Sequence, residues 1–217
     1  MDLPKLEELE VLADILPTFL RKNERVLLCF PGKEEPVGEV AARSVERFGG
    51  IPVFWGEDLL WKTLLRKGFQ ERCSTIIGPP SIILGLSKLA ARAATPLYIR
   101  NAVILGDTPD EWLCGSIRNG LDCAIRGWIP GEKRAPSCDD GTEALLHELR
   151  RWTTILDMKL EHMGAGLSLE LVTFPGEKLP KLPSFARLVV KDWDGERDVP
   201  FDIPFRWKTG IFSCKNH

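Results

Sequence analysis

Two loops between residues 74 and 130 carry the residue types best suited to holding a ligand. Gly106-Asp107-Thr108-Pro109-Asp110-Glu111 follows the apolar run Ala102-Val103-Ile104-Leu105. Thr108 to Glu111 is a capping box with proline at the first helical position, so a helix is predicted to start there. Helix N-termini attract anions, but Asp107, Asp110 and Glu111 already place negative charge at this one. The loop therefore disfavours a phosphate and suits a ligand hydroxyl or exocyclic amine held by Asp107. A capped helix with no ligand accounts for the same residues. The second loop, Arg126-Gly127-Trp128, follows the short run Cys123-Ala124-Ile125. A third string, Arg206-Trp207-Lys208-Thr209-Gly210, alternates basic and aromatic residues before a Thr-Gly pair. Its plainer reading is a basic edge strand ending in a glycine turn.

Other chemistries lack their residues. No glycine-bracketed Lys-Ser/Thr loop is present to wrap phosphates. Gly164-Ala165-Gly166 precedes a strand pattern, whereas a dinucleotide fingerprint follows one. No Gly-x-Ser-x-Gly elbow occurs around Ser81 or Ser168. His147-Glu148 lacks the second histidine of a zinc helix, and the other histidines, His162 and His217, do not flank cysteines. No metal ligand set is predicted.

The elements around the loops alternate. Residues 3–22 place Leu6, Leu9, Leu12, Ile15, Leu16, Phe19 and Leu20 at helical spacing, with Pro17 as a kink or early break. Strands are predicted over 25–30, 51–55, 74–78, 102–105 and 123–125, and helices over 37–48, 57–68, 81–94 and from 108. Gly49-Gly50 closes the first of these helices. Such alternation predicts a mostly parallel sheet flanked by helices, with ligands beyond the carboxyl ends of its strands, where Gly106-Asp107 and Arg126-Gly127 are placed. After a polar stretch at 131–141, a helix is predicted over 143–160 from the stripe Leu145, Leu149, Trp152, Leu156 and Leu160. Strands over 167–173 and 186–191 follow, with a hairpin-type turn at Asp192 to Gly195. The fold class is thus α/β with a smaller β-rich C-terminal subregion, divided as residues 1–130 and 131–217.

With 217 residues, 44% of them hydrophobic, the chain can bury a substantial core. Twenty-nine basic and 31 acidic residues nearly cancel, and no basic stripe interleaved with aromatics argues for nucleic acid. The apolar runs are too short for a membrane span, and the acidic N-terminus lacks a signal core. The six cysteines form no CxxC pair or regular framework, which fits reduced thiols and a cytoplasmic protein.

Several segments, in order, resemble the adenylate-forming acyl-CoA ligases, in particular their phenylacetate–CoA ligase-like branch. Arg206-Trp207-Lys208-Thr209-Gly210 resembles the family's Arg-Tyr-Arg-Thr-Gly-Asp motif. Asn23 to Gly32 is similar to its Arg-Val-Leu strand with the following acyl-side loop, here Phe30, Pro31 and Gly32. Arg47 to Val53 resembles its Arg-Leu-Gly helix end, Ser74 to Ser81 its Val-Gly-x-Pro-Ser segment, and Val103 to Asp107 its adenine-side loop. Asp122 to Gly127 falls at its aromatic-Gly-x-Thr-Glu motif, and Leu167 to Val190 resembles its Gly-Glu-x-Leu-Pro hairpin.

The resemblance implies ATP or AMP and magnesium as cofactors, with CoA only if a partner completes the enzyme. By position it assigns Gly106, Asp107, Arg126, Gly127, Trp128, Arg206, Thr209 and Gly210 to the nucleotide. Glu132, Arg206 and Lys208 are the candidates for catalysis. The family's threonine and magnesium-linked glutamate are here Ile129 and Pro130, and its ribose-binding aspartate is Ile211. The phosphate loop that should precede the first strand, and the C-terminal domain with its lysine, have no counterpart. The expectation is a shortened relative that is inactive alone and keeps nucleotide or carboxylate binding, with a partner polypeptide supplying the phosphate loop. An active or split ligase and a non-enzymatic interaction module are the alternatives.

Overall fold

The computed structural model of the protein describes residues 8–30, 36–56, 60–106, 111–130, 149, 154–163, 166–177, 179 and 186–193. The chain divides into two compact units, Met1–Lys133 and Arg134–His217.

In the first unit, five short apolar runs become strands β1 (Arg25–Leu28), β2 (Ile51–Phe54), β3 (Thr75–Gly78), β4 (Asn101–Gly106) and β5 (Ala124–Pro130). All four pairings are parallel, in the order β2-β1-β3-β4-β5. Val26 to Leu28, Ile76, Ile77 and Ala102 to Leu105 are buried. Strands covered on both faces read as continuous apolar runs, and these do.

Helices α2 (Pro36–Arg47), α3 (Trp61–Gln70), α4 (Pro80–Arg92) and α5 (Glu111–Leu121) connect successive strands. Right-handed crossovers put α2 on one face of the sheet and α3, α4 and α5 on the other. Accordingly α4 packs between α3 and α5. The N-terminal segment joins α2 and β5 on the opposite face. It comprises a 3₁₀ turn at Glu8–Val11, the helix α1 (Leu12–Ile15) and a 3₁₀ turn at Leu16–Thr18, with Leu9, Leu12 and Leu16 fully buried. Pro17 lies in the last turn, so the helix predicted to residue 22 stops at Thr18. A Cβ on Gly127 would lie 2.7 Å from Ile15 Cδ1, so the glycine is what lets α1 rest on β5.

Two local predictions in this unit need correction. Helix α3 starts at Trp61, not Glu57, because Leu60 is extended (ψ 137°) and its carbonyl accepts the Trp55 indole N–H at 2.9 Å. Strand β5 runs on to Pro130, so Arg126 and Gly127 lie inside a strand and not at its end. Pairing with β4 alone would leave Arg126 unmatched: Ala102 faces Ile125 and Val103 faces Gly127, and the bulge carries the strand three residues further.

In the second unit, β6 (Ile155–Met163), β7 (Gly166–Thr173) and β8 (Ala186–Asp192) form a sheet in that order. Strands β6 and β7 are antiparallel, and β7 and β8 are parallel. The helix predicted over 143–160 is therefore a strand from Ile155 onward, while Leu149 is helical. Lys159 and Glu161 form an ion pair at 2.7 Å on the exposed face, and Leu156 is buried. The segment Leu167 to Val190 is not a hairpin, since its two strands run the same way. Phe174 and Trp193 close one end of this sheet edge to face, their centroids 5.6 Å apart.

Each of α2 to α5 is followed by a left-handed residue: Gly49, Arg72, Ala94 and Asp122, with φ of 78°, 50°, 46° and 51°. Only the first is a glycine. Ala94 is exposed and bears the steric cost of its Cβ in that conformation. Ala94→Gly should raise stability by about 0.5–1 kcal/mol in urea unfolding, the relief of strain exceeding the extra freedom of the unfolded chain.

Candidate functional site

In a parallel sheet the ligand site is set by where the strand order turns back. Here the chain moves outward from β1 to β2, then returns to place β3 on the other side of β1. The helices after β1 and β3 therefore lie on opposite faces, and it is between them, at the carboxyl edge, that such a topology places a ligand crevice. The edge is closed up tightly below that crevice. Cys29 N–H donates to Ile77 O at 2.9 Å, and a Cβ on Gly78 would lie 2.6 Å from Cys29 Cβ. Phe30, the residue after Cys29, is fully buried.

Helix α4 starts at this crevice. Pro79 is its N-cap in extended geometry (ψ 143°), with no side-chain cap, and no acidic residue stands in the first turn. Pro79 and Pro80 have no N–H, so Ser81 is the first residue that can donate one. Its hydroxyl is buried with no hydrogen-bond partner among the described residues. A buried polar group left unpaired costs about 1–3 kcal/mol. By contrast, α2 and α5 carry Glu39 and Glu111 in their first turns. The first turn of α4 thus brings no acidic side chain of its own to the helix's positive end, and it presents a hydroxyl suited to an anionic oxygen.

On the adjacent strand, Gly106 ends β4 with φ 105°, a conformation that side chains strain to adopt. Its carbonyl accepts the Trp128 indole N–H at 3.0 Å. Trp128 is 38% exposed, and Trp112, on the first turn of α5, is 48% exposed. Trp112 is absent from the sequence-based candidates. Its signal is spacing: five residues before the buried Ile117, it falls off the inner stripe of α5.

The sequence candidates thus part company. Gly106 and Trp128 come together at the carboxyl edge. Arg126 turns the other way: its Nε donates to Asn101 Oδ1 at 2.7 Å, at the start of β4, and its guanidinium lies 5.8 Å from the Phe19 ring centre. Gly127 meets α1. Phe30 is at the end of β1, about 10 Å or two strand spacings from Gly106. Pro31, Gly32, Asp107, Glu132, Arg206, Lys208, Thr209 and Gly210 lie outside the described residues.

Nucleophilic thiol chemistry finds no support at three of the cysteines. Burial pushes the Cys29 thiol well above its ordinary range. Burial likewise pushes Cys73 up to about 12, against a partly offsetting Arg25, and Cys123 up to about 11. Such thiols stay protonated and inert at neutral pH. Among the described residues no three His, Cys, Asp or Glu side chains gather as a metal site. No described helix is long and apolar enough to cross a membrane.

No protein-family model and no curated protein matches the chain. Solved structures do. An open conformation of 2-hydroxyisobutyryl-CoA ligase in complex with 2-HIB-AMP and CoA is 10% identical, covers 55% of this chain and 30% of its own, and has a TM-score of 0.45. The amide bond synthetase McbA from Marinactinospora thermotolerans is 20% identical over 52% of this chain and 23% of its own, with a TM-score of 0.42. The inhibitor-bound N-terminal domain of FACL13 from Mycobacterium tuberculosis is 16% identical over 68% and 37%, also at 0.42. The chain spans well under half the length of each.

Two outcomes test the local geometry. Gly78→Ala should cost about 1–3 kcal/mol in urea unfolding, because its methyl must displace the Cys29 side chain from a packed strand pair. In native protein at pH 8, iodoacetamide should label the half-exposed Cys114 before Cys29, Cys73 and Cys123, as read by peptide mass spectrometry. Equal native rates at Cys29 and Cys114 would contradict the buried placement.

Proposed function

We propose that the chain is a partial acyl-adenylating domain that binds a small anionic ligand, a nucleotide or a carboxylate, at the carboxyl edge of its parallel sheet, and does not activate carboxylates alone. The observation that carries this reading is the α4 N-terminus at the switch point: it has no side-chain cap and no acidic residue in its first turn, and the Ser81 hydroxyl beside it is buried without a hydrogen-bond partner among the described residues. The ligand's anionic oxygens would accept from Ser81, recovering what its burial costs. Gly106 and Trp128 supply a flat, partly apolar wall at the end of the neighbouring strands, of the kind an adenine ring needs. The order of sequence motifs along the chain supports the same reading: it gives the adenine to Gly106 and Asp107 and counts Trp128 among the nucleotide residues.

The chemistry is where this chain departs from the family. The positions of the hydroxyl and magnesium-linked carboxylate hold Ile129, fully buried, and Pro130, the last residue of β5. Neither side chain has an oxygen to offer a divalent cation, so these residues do not fit magnesium, and no step through a metal is drawn for them. Arg126 is taken up by Asn101 and Phe19, which leaves the base side to Gly106 and Trp128.

Calorimetric titration with AMP and with a panel of aliphatic and aromatic carboxylates tests the binding. Saturable heat with at least one ligand, weakened tenfold or more by Ser81→Ala, is expected. No heat with any ligand removes the proposal. ATP–pyrophosphate exchange across the same acids should stay at background, and exchange with any acid overturns the inactive part of the reading.

A further inference from the structure

The opposite edge of the sheet holds a feature the carboxyl-edge reading does not use. A cavity of about 520 Å³ opens where β1, β3 and β4 begin, lined by Arg21, Lys22, Asn23, Glu24 and Arg25 from one side and by Gln70, Glu71, Arg72, Ser74 and Arg100 from the other. That volume lies within the range of small-molecule sites. Five side chains in the lining are cationic and two are carboxylates, a surplus of three positive charges on a chain whose formal charge is −2.

Both carboxylates are already committed. Glu24 accepts from Arg21 N–H at 2.8 Å, from the Ser74 hydroxyl, and from Thr75 Oγ1 at 3.4 Å. These are wall-building bonds that tie the turn before β1 to the start of β3. Glu71 pairs with Arg25. Arg21, Lys22, Arg72 and Arg100 have no carboxylate partner among the described residues, and all four are exposed around the cavity. Four unpaired cations converging on one concavity repel one another, and a bound polyanion relieves that repulsion. Three of them are arginines, whose planar forks match phosphate oxygens two at a time. The backbone holds the cluster in place: Arg100 N–H donates to Ser74 O at 2.7 Å, and Arg72 follows α3 in the left-handed region.

We infer that this amino-edge cavity is a binding site for a polyphosphate group, held by Arg21, Lys22, Arg72 and Arg100. The group is shared by inorganic polyphosphates and nucleoside polyphosphates. An aromatic element lies close in the chain to the lining residues and separates the two sources. Phe69 and Tyr98 stack at 6.3 Å with 18° between their planes, both partly exposed, one residue before Gln70 and two before Arg100. Tyr98 and Arg100 are both exposed, one on each side of the buried Ile99 in the chain.

The test uses the full chain and inorganic tripolyphosphate, which has no base, and variants at the two edges decide which one holds the anion. Calorimetry at low and at 150 mM salt should give saturable binding that weakens with salt. Arg72→Glu/Arg100→Glu should reduce the affinity at least tenfold. The charge-matched control Arg43→Glu/Arg187→Glu, on exposed residues outside the cavity, should keep it within twofold. Circular dichroism and melting temperature establish that both variants fold. Absence of binding to the native chain overturns the inference, and so does an equal loss in the two variants, which would mean only long-range attraction. ATP binding tighter than tripolyphosphate and weakened by Tyr98→Ala assigns the group to a nucleotide; equal affinities assign it to the free anion. Loss of tripolyphosphate binding confined to Arg72→Glu/Arg100→Glu supports the amino-edge site; a tenfold loss in Ser81→Ala with affinity kept in Arg72→Glu/Arg100→Glu places the anion at the carboxyl edge and overturns the inference.

Discussion

The contact on which the first unit depends is the one between Gly78 and Cys29. β3 must lie directly against β1 for the strand order to turn back, and at the carboxyl edge this leaves no room for a side chain on Gly78. Everything above follows from that adjacency. Because β3 returns beside β1, α2 and α4 go to opposite faces, the central strands are covered on both sides, and a crevice forms between their loops. The thiol of Cys29, closed in at the same place, stays protonated for the same reason.

One sheet thus presents two chemically different edges. At its carboxyl edge stand a helix N-terminus without a side-chain cap, a hydroxyl with no partner among the described residues and two half-exposed tryptophans. At its amino edge, four arginine and lysine side chains without carboxylate partners among the described residues surround a cavity. Helix C-termini and their left-handed residues gather at that amino edge, where their partial negative charge favours basic side chains such as Arg72. Both edges draw anions, one through backbone and hydroxyl, the other through charged side chains.

The departures from sequence expectation have definite causes. Leu149, Trp152, Leu156 and Leu160 lie three to four residues apart and fit a helical stripe. Yet from 156 to 161 apolar Leu156, Met158 and Leu160 also alternate with Asp157, Lys159 and Glu161. A spacing of four satisfies both periods, and pairing with β7 decides for the strand. Arg126 and Gly127 looked like a loop because a basic residue and a glycine follow a short apolar run. The bulge that absorbs Arg126 depends on β4, which local sequence does not contain. In the sequence Ser81 fits no nucleophile elbow and only ends a segment resembling Val-Gly-x-Pro-Ser, because a missing hydrogen-bond partner cannot be seen until the fold surrounds it.

What the sequence determined by itself was the alternation of buried strands with helices in residues 25–130, and with it a parallel sheet. Apolar runs, glycine after a helix and proline at its start are local signals, and local stereochemistry suffices to read them. It also carried Gly106 and Trp128 as candidates, which the fold brings together. Tertiary structure alone decided the strand order, the crevice beside Ser81, the turning away of Arg126 and the gathering of Arg21, Lys22, Arg72 and Arg100. Those residues span some eighty positions, and only the pairing of β1, β3 and β4 makes them neighbours. A charge surplus in space leaves no mark on a chain whose total charge is nearly balanced.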